Sequence, residues 1–92
     1  MTVLVALMSD MYAAGITGRV SDSKNRSKAK VKVTIKYGSQ TQYTYTDSNG
    51  RYVLEIPTTY AGVRGKIYAS GTYVTRCTIP KKDYNVVNVR LK

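Results

Sequence analysis

The sequence predicts an all-β protein: a seven-stranded antiparallel β-sandwich preceded by one extra apolar strand. Apolar and polar residues alternate with a period of two over most of the chain, as in strands with one buried face. Such segments are separated by turn sequences. One of these turns, Asn49-Gly50, is typical of a tight hairpin. The length of 92 residues favours one small domain.

This alternation predicts seven strands. The second is the clearest, because alternate positions such as Val33 and Ile35 are apolar and lysines lie between them. Pro57 ends the fourth, since proline cannot donate to a ladder. Gly65 suggests a bulge in the fifth or a close approach of another chain there. In the sixth, Tyr73 shares its register with Cys77, so both are expected to point inward. The predicted strands are 16–20, 29–37, 40–46, 51–56, 63–69, 72–79 and 84–91.

An N-terminal apolar extension, residues 1–14, precedes the sandwich of residues 15–92. Its strand would be apolar on both faces and would need cover on both. Three placements are open: an eighth strand of the same sandwich, a donor strand inserted into a neighbouring copy, or a remnant of a membrane signal. No stretch reaches the roughly 18 apolar residues of a membrane span. The candidate assembly interface consists of Val3, Leu4, Val5, Ala6, Leu7 and Met8.

The residue inventory argues against catalysis. The chain contains no His, one Cys and one Glu, whereas catalysis needs a positioned acid, base, nucleophile or metal. Cys77 is expected to be a small buried hydrophobic residue. We therefore predict no enzyme activity, no catalytic residues, no cofactor, no metal site and no small-molecule substrate.

The charge points to anionic partners. Fifteen Lys and Arg face five acids, which gives a net charge of +10. On the second strand, alternate lysines are predicted to share one face at intervals of ~6.6 Å, and Tyr43 and Tyr45 are available for stacking beside them. The alternative is a solvated face that discourages edge pairing. The candidate polyanion-binding residues are Lys28, Lys30, Lys32 and Lys36.

Several stretches resemble carboxypeptidase-regulatory-like domains. Residues 15–22 (GITGRVSD) resemble their opening strand, and residues 46–57 (TDSNGRYVLEIP) are similar to their most recognisable segment. Residues 29–37, 68–74 and 85–91 also fit. The resemblance implies a transthyretin-like (Ig-like) sandwich, usually a non-catalytic module. The family has one enzymatic branch, the hydroxyisourate hydrolases, which use histidines and a C-terminal Tyr-Arg-Gly-Ser. This chain has no His and ends Val89-Arg-Leu-Lys92, so we expect it to lie outside that branch.

Three functions are compatible with these observations. The first is a structural subunit that self-assembles with other copies through Val3–Met8, as in a filament. The second is a basic module that binds nucleic acid or another polyanion, and the third is an accessory protein-recognition domain. The first implies an extracellular, cell-surface or virion location, and a cytoplasmic one is the alternative. Asn25-Arg26-Ser27 is a possible N-glycosylation site if the chain is exported.

Overall fold

The computed structural model describes residues 14–92, which form two β-sheets. There are eight strands in this part of the chain, not seven, together with one turn of 3-10 helix at Thr58–Tyr60. The apolar run Val3–Met8 lies outside the described residues. The strands are β1 (Ala14–Ser21), β2 (Lys32–Tyr37), β3 (Gln40–Tyr45), β4 (Arg51–Glu55), β5 (Arg64–Ala69), β6 (Thr72–Thr78), β7 (Asp83–Val86) and β8 (Val89–Arg90).

The strands are divided equally between the sheets. The first sheet has the order β4-β1-β7, and β8 also pairs with β1. The second has the order β3-β2-β5-β6. The predicted all-β sandwich is confirmed at this level, and the transthyretin-like architecture stays a prediction.

The core is a layer of apolar side chains between the inner faces of the sheets. Ile16 and Leu54 of the first sheet and Val33, Ile35 and Ile67 of the second are all exposed by 1% or less. Burial of one such side chain stabilises the fold by about 1.5–3 kcal/mol. The alternation read from the sequence therefore identifies the buried face correctly at Val33 and Ile35.

The predicted antiparallel pairing is wrong for two pairs of strands. β1 pairs with β4 in antiparallel fashion, but its pairing with β7 and with β8 is parallel. Alternation determines which face of a strand is buried and is insensitive to strand direction. The sequence pattern therefore carried no information on this point.

The predicted last strand, 84–91, is interrupted by a side chain. The Asn88 Oδ1 atom accepts a hydrogen bond from the Arg19 backbone N–H at 3.0 Å, in place of a backbone carbonyl. Just before this point the Val87 N–H donates to the Thr17 carbonyl at 2.7 Å. The two backbone segments approach so closely that a Cβ atom on Gly18 would lie 2.0 Å from the Val87 carbonyl oxygen. β7 and β8 are consequently separate short strands.

The second strand begins at Lys32, three residues later than predicted, because the Thr46 side chain forms hydrogen bonds with the backbone just before it. Its buried hydroxyl donates to the Lys28 carbonyl at 2.6 Å and accepts from the Val31 N–H at 2.9 Å. Lys30, between these two residues, has a φ of +58°, which is the left-handed region that an L-residue adopts at a cost. The regular alternation cannot extend through such a residue.

We expect Thr46→Val to lower the free energy of unfolding by about 1–3 kcal/mol, because it leaves the Val31 N–H and the Lys28 carbonyl without this partner. Thr46→Ser keeps the hydroxyl and should lose about 1 kcal/mol or less. Chemical denaturation of the two variants measures the difference. Equal stability of the Val and Ser variants would show that the hydroxyl is dispensable.

Candidate functional site

The four lysines of the predicted row do not share one strand face. Lys32 and Lys36 lie on the exposed outer face of β2. Lys28 and Lys30 precede the strand, where the positive φ of Lys30 interrupts the alternation. The structure thus keeps half of the predicted row and separates the other half from it.

Cations from two further strands extend the outer face of the second sheet. Lys36 on β2 is paired with Lys66 on β5, and Lys66 is paired with Arg76 on β6. Arg64 lies two residues before Lys66 on the same face. We call this surface the basic face, defined by Lys32, Lys36, Arg64, Lys66 and Arg76, all of them exposed.

Tyrosines form a second row across the same face. Tyr43 on β3 pairs with Thr34 on β2, Thr34 with Tyr68 on β5, and Tyr68 with Tyr73 on β6. Tyr45 lies two residues from Tyr43. Tyr43, Tyr45 and Tyr73 are 58%, 56% and 48% exposed, so these rings are not part of the core.

The outward position of Tyr73 contradicts the sequence prediction. The register of β5 and β6 shifts between Ile67 and Tyr68, where Ile67 pairs with Thr75 and Tyr68 with Tyr73. One extra residue of β6, Val74, is accommodated there, as in a β-bulge. Gly65 itself keeps a regular pairing with Cys77, so no bulge occurs there. The bulge at Val74 is what places Tyr73 on the outer face.

The rings and the cations of the basic face contact one another. The Lys32 Nζ atom lies 4.4 Å from the centroid of the Tyr43 ring, and the Lys36 Nζ atom lies 5.0 Å from that of Tyr68. Both distances are within the range of cation–π attraction. The Tyr68 and Tyr73 rings meet edge to face with centroids 5.8 Å apart. The face is therefore a mixed surface of aromatic rings and positive charge.

No acidic residue occurs in the four strands of the second sheet. The acids of the described chain, Asp22, Asp47, Glu55 and Asp83, lie in the first sheet or in loops. Within residues 14–92 none of the five cations of the basic face is found in a salt bridge. Adjacent positive charges on paired strands repel one another, so this face has a cost in stability that an anionic ligand would relieve.

A shallow depression lies within the basic face. It is lined by Arg64, Gly65, Lys66 and Arg76 and has a volume of about 160 Å³. Three of these four residues carry a positive charge.

Sequence reasoning missed Arg64, Lys66, Tyr68, Tyr73 and Arg76 as parts of a site. The first three stand at alternate positions of the predicted strand 63–69, so their common face was readable from the sequence. That this face adjoins the outer face of β2 depends on the β2–β5 pairing. The alternation within a single strand carries no signal for such a pairing.

The possible glycosylation site lies in the loop between β1 and β2, outside the strands that form the basic face. Asn25 is exposed in the β1–β2 loop with a φ of +64°, and its carbonyl accepts from Arg19 Nη2 at 3.1 Å. The loop is organised by Asp22, which accepts hydrogen bonds from the Arg26 and Lys24 backbone N–H groups and from the Arg26 side chain. These bonds, the Arg26 backbone bond foremost, hold the pKa of Asp22 below its ordinary value.

The metal-ligating and nucleophilic side chains of the described residues are few, with no His and one Cys. Within residues 14–92 no three His, Cys, Asp or Glu residues are grouped so that they could hold a metal ion. Cys77 is half-buried against the core, and burial raises the pKa of its thiol.

None of the helical structure in this part of the chain is long and apolar enough to cross a membrane.

Protein-family models gave no match to this chain, and no curated protein sequence is significantly similar to it. The resemblance to carboxypeptidase-regulatory-like domains therefore stays a prediction from the sequence.

We expect Cys77 to be alkylated slowly at neutral pH, with a rate that reaches half its maximum above pH ~8.5, the ordinary pKa of a cysteine. The raised pKa of the thiol reduces the fraction of reactive thiolate at any lower pH. Iodoacetamide labelling across a pH series measures this, and the protein in denaturant is the control, where the midpoint should return to about 8.5. A midpoint in the folded protein at or below that of the denatured protein would contradict the prediction.

Proposed function

We propose that this chain is a non-enzymatic module that binds a polyanion through the basic face. The observation that carries the proposal is the run of three cations on neighbouring strands, Lys36, Lys66 and Arg76, on a sheet without an acid. A linear polyanion presents a series of negative groups that matches such a run. Binding of this kind releases counterions and weakens as the salt concentration rises.

The cost of the basic face to the fold supports the same proposal. Lys66 on β5 lies directly opposite a cation on each of the two neighbouring strands, Lys36 on β2 and Arg76 on β6. An acid at position 66 would replace two repulsive cross-strand pairs by two attractive ones. Cross-strand charge pairs contribute about 0.2–1 kcal/mol each. A face that only needed to be soluble would gain stability from such a residue.

We expect Lys66→Glu to weaken polyanion binding about tenfold or more at low salt, and to lower the steepness of the log–log salt dependence by about 1. The same variant should raise the free energy of unfolding by about 0.5–1 kcal/mol. Fluorescence anisotropy with a labelled polyanion measures binding, and chemical denaturation measures stability. Loss of binding by a more stable protein excludes misfolding as its cause.

The matched control is Lys82→Glu, which makes the same change of net charge in the exposed loop between β6 and β7. It should weaken binding less than about threefold, because salt screens the interaction between the polyanion and a charge that lies outside the contact. Equal losses in both variants would mean that overall charge, not the basic face, attracts the polyanion. No detectable binding of the unchanged protein at low salt would refute the proposal.

A structural subunit is the second candidate function, and the sequence observation that favours it is the run Val3–Met8, apolar on both strand faces. Such a run is suited to insertion between strands of another copy. A head-to-tail contact of this kind propagates into a filament unless it closes into a ring. This candidate depends on residues 3–8 and is independent of the basic face.

Deletion of residues 1–13 should convert any assembly of the full chain into monomers, because the inserted strand would be lost. Light scattering and electron microscopy of the two proteins at equal concentration test this. β1 begins at Ala14, so the deletion leaves every described strand intact. Assembly that persists unchanged after the deletion would rule out Val3–Met8 as the contact.

A further inference from the structure

We infer that the polyanion is a single-stranded nucleic acid whose bases stack on the tyrosine row of the basic face. The inference rests on the proposed function and specifies the ligand of that same site. Charge alone would suit any polyanion, including a duplex or a sulfated glycan. The tyrosines distinguish among these ligands, because a nucleic acid base stacks on an aromatic ring with little dependence on sequence.

The aromatic and cationic rows run side by side across the strands. On β3, β2 and β5 the row Tyr43–Thr34–Tyr68–Tyr73 is two residues from the row Thr41–Lys36–Lys66–Arg76, a distance of ~6.7 Å, and on β6 the bulge makes the offset three residues. Both rows cross from β3 to β6. A strand laid across the sheet would place its phosphates along one row and its bases over the other.

The spacing of the rings favours unstacked bases. Tyr43 and Tyr68 are separated by one strand, hence by ~10 Å, and the Tyr68 and Tyr73 ring centroids are 5.8 Å apart. Bases in a duplex are stacked at ~3.4 Å and face each other, so their flat surfaces are covered. Rings at these wider intervals can reach only bases that are free to splay, as in a single strand.

The rings of the tyrosine row are open to solvent. Tyr43 and Tyr73 have about half of their surface in contact with solvent, although both belong to a domain with a small core to fill. Lysine amines lie over the Tyr43 and Tyr68 rings. A base that stacks on the same ring face would displace the amine, and the flexible lysine side chain would keep that amine within reach of the phosphate of the same nucleotide.

Tyrosine fluorescence provides a direct test, because the chain has nine Tyr and no Trp. The full chain would be titrated at low salt with three probes: a single-stranded oligothymidylate of roughly 12 nucleotides, a DNA duplex of the same length, and heparin. We expect the single strand to bind at least about tenfold more tightly than the duplex and to quench the emission. Heparin should bind without comparable quenching, since it has no bases.

Tyr43→Leu and Tyr73→Leu should each weaken binding of the single strand about tenfold and leave heparin binding unchanged. Tyr43→Phe and Tyr73→Phe keep the ring and should bind within about twofold of the unchanged protein. Both side chains are exposed, so a folded variant is expected, and its denaturation curve checks this. Rescue by Phe separates stacking from any contact of the hydroxyl.

The outcomes separate this inference from the proposed function. Duplex or heparin binding equal to or tighter than that of the single strand, with no effect of the Leu variants, would overturn the inference and leave the polyanion proposal standing. No binding of any probe at low salt would overturn both. Selective loss of single-strand binding in the Leu variants supports both.

Discussion

The whole molecule depends on one constraint: its core is one layer of side chains thick. Each sheet has one face against that layer, so in β2, β4 and β5 every second residue is buried and the residues between are turned outward. Val33 and Ile35 belong to the layer, and Lys32 and Lys36 are placed outside as a consequence. The fold dictates where the outer residues stand and leaves their chemistry free, which is why function is best sought there.

The same constraint explains what the sequence could predict. Alternation located the strands and the buried positions, because it reports directly on the two faces. The departures each arise from an interaction between two different segments of the chain: the hydroxyl of Thr46 beside Val31, the amide oxygen of Asn88 beside Arg19, and the register shift between β5 and β6 that turns Tyr73 outward. The parallel pairing of β1 belongs to the same class. A period-two pattern within one segment contains no record of its partner.

The candidate site was half predictable for the same reason. Lys32, Lys36, Tyr43 and Tyr45 come from two strands joined by a short turn, and the sequence brings them together. The contributions of β5 and β6 require the β2–β5 pairing, which joins segments about 30 residues apart along the chain, as in the pair Lys36 and Lys66. The segregation of charge is equally a property of the assembled sheets, since the acids at Asp22, Asp47, Glu55 and Asp83 are scattered along the sequence.

The position of β1 also bears on how the chain folds. Its hydrogen bonds to the closing strands join residues far apart in sequence, and the bond from Arg19 to Asn88 spans 69 positions. Closing so long a loop costs chain entropy before any contact repays it, and folds dominated by non-local pairing form in milliseconds to seconds. During synthesis, β1 cannot pair with β7 and β8 until residues 83–90 have emerged from the ribosome. The hairpins β2–β3 and β5–β6 are local, so we expect the sheet that carries the basic face to be assembled before its companion.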